Sequence, residues 1–160
     1  MITQSTEKRP QHSELPRLQP VPAGYTLCAV KINGGKVGMR THYQAIESYI
    51  TKDGSQIREL IHPAVHGNRN QSFAEATVPP HARTALHAHK LTEEIYHVTQ
   101  GVGTMTLGDE RFAVAVGDTI CIAPGTPHCI ENAGDAPLKI LCACAPAYSH
   151  GDTELIETKP

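Results

Sequence analysis

The sequence predicts an all-β fold, a single sandwich or barrel built from short strands. Turn-forming pairs such as Asp53-Gly54, Gly108-Asp109 and Gly117-Asp118 recur at spacings that strands fill and helices do not. The runs between these turns are rich in β-branched and apolar residues, and in several of them apolar and polar residues alternate with a period of two. A chain of 160 residues holds one domain of ordinary size, and no motif occurs twice, so we expect one barrel.

The predicted strands follow one another closely from residue 45 onward. One segment, 57–60, has a weakly helical pattern, but it is too short for a helix and follows the hairpin-like turn Asp53-Gly54, so we predict a strand there. Residues 1–23 contain four prolines among polar residues, which favours an extended N-terminal arm outside a single domain at 24–160. The predicted strands are 45–51, 55–61, 72–78, 94–99, 103–107, 111–116, 119–122, 128–132 and 138–145.

Composition excludes several classes of protein. With 14 basic and 16 acidic residues and no basic run, the chain lacks the positive surface of a nucleic-acid binder. No apolar stretch approaches the roughly 20 residues of a membrane-spanning helix, and charged residues and prolines stand where a signal peptide is apolar. The five cysteines include no CxxC pair and are odd in number, which favours reduced thiols. We therefore expect a cytoplasmic protein that binds neither nucleic acid nor membranes.

Ten histidines make metal binding the first function to consider, because neutral imidazole is the commonest metal ligand. His87 and His89 are two residues apart, so on a strand both point to the same face. Glu94 follows after a short turn, and His128 comes directly after the Pro124–Pro127 turn that redirects the chain. Three neutral imidazoles and one carboxylate would leave a divalent ion with net positive charge and, in octahedral geometry, two open positions.

These two stretches resemble the paired motifs of the cupin superfamily. The first motif covers 81–101: the His-x-His pair, the glutamate and the closing glycine of that family match His87, His89, Glu94 and Gly101, whereas His81 replaces the leading glycine. The second motif covers 117–132 and is matched by the residues Gly117, Asp118, Pro124, Gly125, His128 and Asn132, with Ala123 at a position where the family usually has proline.

The resemblance implies a double-stranded β-helix barrel of jelly-roll type with a metal inside. It further implies one divalent transition metal, Fe, Mn, Ni or Zn, held by His87, His89, Glu94 and His128, and it implies a homodimer. The function we expect is that of a small-molecule enzyme, either an iron-dependent dioxygenase or a Lewis-acid cyclase, isomerase or decarboxylase. The alternative is a non-catalytic barrel in which the metal anchors a small ligand. A polar cavity around the ligands would favour the Lewis-acid enzyme.

Two further residues are candidate catalytic or substrate-contacting groups. Tyr96 shares a strand face with Glu94, so it would line the cavity, although a packing role is the simpler interpretation. Arg83 has the parity of His87 and would hold a substrate carboxylate at the cavity mouth, unless it is an ordinary surface arginine. Glu75 is a general-base candidate only if its face of the strand points inward.

Other polar residues receive structural roles. Cys142 and Cys144 alternate with apolar residues on the last long strand, a pattern typical of core positions rather than of redox thiols. His97 lies on the strand face opposite Glu94 and is expected outside the barrel. Residues 148–152 either fold over the barrel mouth or form a surface turn.

Overall fold

A computed structural model describes residues 28–31 and 37–157 of the chain. These residues form β-strands, a 3-10 helix (Tyr43–Ala45) and one short helix, α1 (Pro63–His66). None of the helices in this described part is long and apolar enough to cross a bilayer. The predicted N-terminal arm, 1–23, lies outside the described residues. The strands are β1 (Cys28–Lys31), β2 (Val37–Arg40), β3 (Tyr49–Ile50), β4 (Gln56–Ile61), β5 (Ser72–Val78), β6 (Ala82–Arg83), β7 (His87–His89), β8 (Glu93–Gln100), β9 (Val102–Leu107), β10 (Glu110–Ala115), β11 (Thr119–Ile122), β12 (His128–Asn132), β13 (Leu138–Ala145) and β14 (Thr153–Leu155).

Two antiparallel sheets form the double-stranded β-helix. Sheet I has the strand order β11-β8-β13-β5-β4-β3, and sheet II has the order β10-β9-β12-β7-β14, with β6 also paired to β12. One hydrophobic cluster joins the sheets: Val98, Leu138 and Ile140 come from sheet I, whereas Met105 and Ile130 come from sheet II. All five side chains are at most 1% exposed, and full burial of such a side chain stabilises the fold by about 1.5–3 kcal/mol. Strands β1 and β2 pair only with each other among the described strands.

Alternation along the strands of sheet I decides which side chains face the interior. Along β13 the buried positions are Leu138, Ile140, Cys142 and Cys144, with less buried residues between them. Strand β5 buries its serine, alanines and valine and turns Phe73, Glu75 and Thr77 away from the interior. The sequence pattern does not decide which face of β5 points inward. The structure shows that the face with the small residues is the inner one.

The predicted strand at 45–51 is mostly wrong. Its first residue ends the 3-10 helix Tyr43–Ala45, and only Tyr49–Ile50 pair with a neighbouring strand. The guanidinium of Arg58 donates hydrogen bonds to the carbonyls of Tyr43 and Ile46, so side-chain bonds take the place of a ladder there. By contrast, the strand predicted at 57–60 is confirmed within β4.

Two residues with positive φ form turns next to the strands of the site: His81 between β5 and β6, and Gly101 between β8 and β9. His81, which stands where the resembled family has glycine, adopts a left-handed conformation with φ 57°, so the turn that favours glycine is formed here by a histidine. Gly101 has φ 83°, and an added Cβ would lie 3.0 Å from the carbonyl oxygen of Pro137. Asn132, 1% exposed, donates its amide to three backbone carbonyls, including that of Val78 at 2.9 Å.

Candidate metal centre

The histidines come from sheet II and the glutamate comes from sheet I. Strand β7 presents His87 and His89 to the interior and turns Ala88 away, and His128 at the start of β12 pairs directly with His87. Glu94 reaches the same point from β8. One ligand atom of each of the four side chains lies within 4.8 Å of the others. The sequence therefore identified four side chains that the fold does bring together.

The cluster is buried and tightly grouped. His87 and His89 are each 3% exposed, Glu94 is 5% exposed and His128 is fully buried. The Glu94 Oε2 atom lies 3.1 Å from His89 Nε2 and 3.4 Å from His128 Nε2. The ring centroids of His87 and His128 are 4.1 Å apart. This spacing places three imidazoles and a carboxylate around one small volume.

Backbone carbonyls fix the orientation of two of the imidazoles. Nδ1 of His87 lies 2.9 Å from the carbonyl oxygen of Ala85, and Nδ1 of His128 lies 2.9 Å from that of Thr126. A carbonyl only accepts hydrogen bonds, so each Nδ1 carries the proton and donates it. In each neutral ring the lone pair is therefore on Nε2, which is the form that binds a metal.

The third imidazole is oriented by a hydroxyl near the end of the described chain. Nδ1 of His89 lies 3.2 Å from Oγ1 of Thr153, whose hydroxyl donates to the carbonyl of Ser149 at 3.0 Å. Because the Thr153 proton is used in that bond, its oxygen accepts from Nδ1–H of His89. All three histidines thus point Nε2 toward the cluster, where Nε2 of His89 lies 3.1 Å from Oε2 of Glu94.

One atom of the cluster has the position and chemistry of an unused metal ligand. His128 Nε2 is buried and has no hydrogen-bond partner among the described residues. An unsatisfied buried polar atom costs about 1–3 kcal/mol, and a metal ion bound to this nitrogen would remove that cost. Three imidazoles and one carboxylate suit iron, manganese, nickel or zinc. The cluster is compatible with one metal ion.

The charges of the cluster favour a cation. Burial by itself raises the pKa of the Glu94 carboxyl, but the neighbouring imidazoles of His128 and His89 outweigh it and lower the pKa to about 2. Burial, together with the charge of His128, lowers the pKa of His87. An ionised carboxylate and a neutral imidazole are the forms in which these side chains bind a divalent ion.

A cavity opens on this cluster, and its lining is both apolar and polar. Small residues of β5 and β13 form its floor, and aliphatic side chains such as Ile57 and Ile130 contribute to its walls. No lysine or arginine of the described segments lines it. The polar lining residues, besides the histidines and Glu94, are Tyr49, Thr51, Asp53, Ser55, Glu59, Ser72, Thr84, Tyr96, Tyr148 and Thr153.

Tyr96 lies where the sequence predicts it. The residue is 6% exposed, lines the cavity, and its ring centroid is 6.0 Å from that of His128. Burial and the nearby charge of Glu94 raise the pKa of its phenol, which therefore stays protonated. Tyr96 is thus a hydrogen-bond donor beside the metal cluster.

The structure does not bring Arg83 to the cavity. Arg83 is exposed on β6, and Thr84 lines the cavity instead. The prediction assumed that side chains alternate along one strand from Arg83 to His87. The chain is not a strand between β6 and β7, so this alternation is lost before His87. Glu75 is also outside, where it accepts a hydrogen bond from Lys139 at 3.1 Å.

Cys142 and Cys144 are buried as predicted, but Cys144 also touches the cluster. Its thiol lies 3.3 Å from Oε1 of Glu94, the oxygen other than the one nearest the imidazoles. Burial and the charge of Glu94 raise the pKa of the Cys144 thiol, so the thiol remains protonated and donates to the carboxylate. The sequence pattern indicated burial of Cys144 and gave no sign of this contact.

The segment after β13 covers the metal end of the cavity. The ring of Tyr148 lies 5.8 Å from that of His89, and burial raises the pKa of its phenol to about 12. The carboxylate of Asp152 accepts hydrogen bonds from the backbone N–H groups of Leu91 and Thr92 at 3.0 and 3.1 Å. Residues 148–152 were expected either to fold over the barrel mouth or to form a surface turn. Tyr148 does fold over the mouth, whereas His150 is exposed.

Comparison with known proteins places this geometry in a family. The family model described as a cupin domain matches residues 74–144. An uncharacterised protein of Methanocaldococcus jannaschii is 56% identical over 119 residues, which cover 74% of this chain and 95% of that protein.

Solved structures support the same fold. The polyketide cyclase RemF from Streptomyces resistomycificus aligns with a TM-score of 0.64 at 21% identity, over 75% of this chain and 86% of that one. A predicted oxalate decarboxylase from Thermotoga maritima aligns with a TM-score of 0.58 at 24% identity, over 66% of this chain and 96% of that one. Together with the double-stranded β-helix and the four clustered side chains, these matches show that the chain belongs to the cupin superfamily.

Proposed function

We propose that the protein is a metal-dependent enzyme that promotes cyclisation, isomerisation or decarboxylation of a small carbonyl compound. The observation that carries this proposal is that titratable side chains, Asp53, Glu59 and Tyr96, line the cavity that opens on the metal cluster. An aliphatic lining would favour an oxygenase or a simple binding site, since proton transfer needs a titratable group near the substrate. Here glutamate, aspartate and tyrosine side chains share the cavity with the cluster.

The charge of the centre indicates which substrates fit. A divalent ion held by His87, His89, Glu94 and His128 would carry a net charge of about +1, because three ligands are neutral and one is an anion. No other cation lines the cavity within the described residues. A small monoanion with two neighbouring oxygen atoms, such as a 2-oxo acid, therefore matches the centre in charge and in ligand type.

The bound metal would supply Lewis acidity, which polarises a carbonyl group. The chain itself supplies orientation and shielding. The protonated phenol of Tyr96 would donate a hydrogen bond to a substrate oxygen, and Tyr148 covers the metal end of the cavity and restricts entry of water. The structural neighbours named polyketide cyclase and predicted oxalate decarboxylase support this reaction class.

The test is a comparison of two metals under two atmospheres. Protein loaded with Zn²⁺ or with Fe²⁺ is incubated with pyruvate, 2-oxobutyrate and 2-oxoisovalerate in D₂O, under argon and in air. We expect the Zn²⁺ form to exchange the hydrogens beside the carbonyl, or to release carbon dioxide, under argon. Proton NMR and gas analysis measure these two results.

Two other results would replace the proposal. Turnover only with Fe²⁺ in air, with matching oxygen uptake, would make the protein a dioxygenase. Saturable binding of these acids that depends on the metal but leads to no reaction would make it a binding protein. Calorimetric titration of the metal-loaded protein measures that binding.

A further inference from the structure

A second buried glutamate lines the same cavity, away from the metal cluster. Glu59 on β4 is 5% exposed. Its Oε2 accepts a hydrogen bond from the Tyr49 hydroxyl at 3.1 Å, and its Oε1 is buried without a hydrogen-bond partner in the described part of the chain. A buried carboxyl oxygen without a partner is costly for the fold, which makes this position a candidate for binding or proton transfer.

The register of sheet I places Glu59 across an open floor from the metal end. Glu59 pairs with Ala74, Ala74 with Cys142, and Cys142 with Tyr96, so the four residues form one row on the inner face. Glu59 and Tyr96 rise at the two ends of the row, whereas the two residues between them are short. A small molecule held by the metal would therefore lie over this floor, between Tyr96 and Glu59.

Among the residues that the structure describes, no lysine or arginine pairs with Glu59. Arg58 is next in the chain but points outward, where it stacks on Tyr43 with its guanidinium carbon 4.4 Å from the ring centroid. The titratable groups on the inner faces of the neighbouring strands are Tyr49 from β3 and, beyond β5, Cys142 and Cys144 from β13. Strand β5 contributes only Ser72, Ala74, Ala76 and Val78 to this face.

This environment sets the proton affinity of the carboxyl. Burial raises the pKa of Glu59 to about 7, against the hydrogen bond from Tyr49, which lowers it. A carboxyl with a pKa near the working pH is present both as acid and as base, the condition under which proton transfer is most effective.

We propose that Glu59 is the proton-transfer residue of this enzyme, acting on the carbon beside the carbonyl of a small 2-oxo acid. The C–H bond breaks and its proton passes to Oε1 of Glu59. The electron pair of that bond forms the carbon–carbon double bond of an enolate, while the carbonyl π pair moves onto oxygen. The Glu59 carboxyl then exchanges this proton with one from solvent and returns the solvent proton to the same carbon, which restores the carbonyl group and completes the exchange. This inference rests on the proposed function and assigns it a residue.

The first measurement follows Glu59 without any turnover. Protein loaded with Zn²⁺ and labelled with ¹³C at the glutamate side-chain carboxyl is titrated by NMR, and the signal missing in Glu59→Gln belongs to Glu59. We expect a midpoint near pH 7. A midpoint near the ordinary value of 4.5 would overturn the proposal.

The second measurement follows exchange of the pyruvate methyl hydrogens in D₂O by proton NMR. Glu59→Gln should lower the exchange rate at least about 100-fold while the affinity for pyruvate changes less than about threefold, because a proton-transfer group acts on the rate. The matched control is Glu75→Gln, which removes a carboxyl on the outer face of β5 and should leave the rate unchanged. Thermal melting of each variant checks its folding.

A milder variant tests the same role if Glu59→Gln does not fold. Tyr49→Phe removes the hydrogen bond that lowers the pKa of Glu59, so the rising limb of the pH–rate profile should move to higher pH. Exchange that persists undiminished in Glu59→Gln overturns the role of Glu59 and leaves the proposed function standing. Wild-type protein that releases carbon dioxide but exchanges no hydrogen overturns only the role of Glu59, whereas wild-type protein that binds pyruvate and does neither contradicts both.

Discussion

The two ends of the cavity each hold one buried glutamate, and the two carboxyls have opposite properties. Glu94 and Glu59 lie on the same sheet and are both 5% exposed. The pKa of Glu94 falls to about 2, whereas that of Glu59 rises to about 7. Burial raises the pKa in both cases, so the neighbours make the difference: Glu94 faces imidazoles, and Glu59 faces a phenol and two thiols.

This contrast suits the two carboxyls to two different tasks. A carboxylate that stays ionised at neutral pH is suited to hold a metal, and a carboxyl that changes charge near neutral pH is suited to move protons. Pairs of titratable groups whose environments drive their pKa values apart are typical of enzymes that combine these tasks. Substitutions at one end of the cavity at a time separate the two roles.

The largest effect is expected from removal of two histidines at the metal end. His87→Ala/His128→Ala should reduce the metal content from about one equivalent to background, since a single imidazole and Glu94 then remain. Elemental analysis of protein purified without added metal or chelator measures this. His97→Ala is the control, because His97 contacts Thr119 at 2.8 Å on the outer face of sheet I. Equal metal in the double variant and the wild type would place the metal elsewhere.

The other end of the cavity should control how stability depends on pH. The folded pKa of Glu59 lies above its ordinary value of 4.5, so between pH 4.5 and 7 the folded state binds more protons than the unfolded state. Stability conferred by this group is therefore fully present below pH 4.5 and is lost as the pH rises to 7. The pKa rises from 4.5 to about 7, and each pKa unit corresponds to about 1.4 kcal/mol, so the stability lost is about 3 kcal/mol.

Glu59→Gln isolates this contribution, because glutamine does not titrate. With both proteins loaded with the same metal, the free energy of unfolding of the wild type should fall relative to the variant by about 3 kcal/mol from pH 4.5 to 7.5. Urea unfolding at several pH values measures the difference. A difference that does not vary with pH would show that Glu59 is solvated in the folded protein.

His87 and His89 could be placed together by a short-range rule, whereas Glu94 and His128, which lie on other strands, were added to the set by the resemblance to the cupin motifs. The period of two puts His87 and His89 on one face, and the same rule put Tyr96 beside Glu94. That rule needs an unbroken strand, and it failed for Arg83 because the chain leaves the sheet between β6 and β7. Local pattern therefore sufficed wherever a residue and its reference position share one strand.

Glu59 and Cys144 could not be assigned in this way, although β4 held a signal. Glu59 has the parity of Ile57, so a glutamate stood on an apolar face of a predicted strand. What makes it unusual is that no lysine or arginine of the described residues lines its cavity, and this depends on strands that are distant in the sequence. The contact of Cys144 with Glu94 likewise spans 50 residues. Such partners follow from the register of the sheets, which the sequence pattern does not contain.

The partner of His89 provides a further test of the metal end. Thr153→Val keeps the shape of the side chain but leaves Nδ1–H of His89 buried and without its acceptor. Loss of such an orienting hydrogen bond typically weakens metal binding about 10- to 100-fold. Competition with a chelator of known affinity measures this, and Thr119→Val on the outer face is the control. Unchanged affinity would mean that packing alone orients the ring of His89.

The smallest effect is expected for the thiol that supports Glu94. Cys144→Ala removes the hydrogen bond to Oε1 and should weaken metal binding by less than about tenfold, because a thiol is a weak donor and a typical hydrogen bond contributes about 0.5–1.5 kcal/mol. Cys142→Ala is the matched control, since it removes the same volume from the same strand face. The sulfur of Cys142 lies 3.9 Å from the carbonyl oxygen of Ile140. If both variants lower the affinity for the metal equally, the side-chain volume on the cavity floor matters rather than the thiol. In that case Glu94 owes its low pKa to the imidazoles alone.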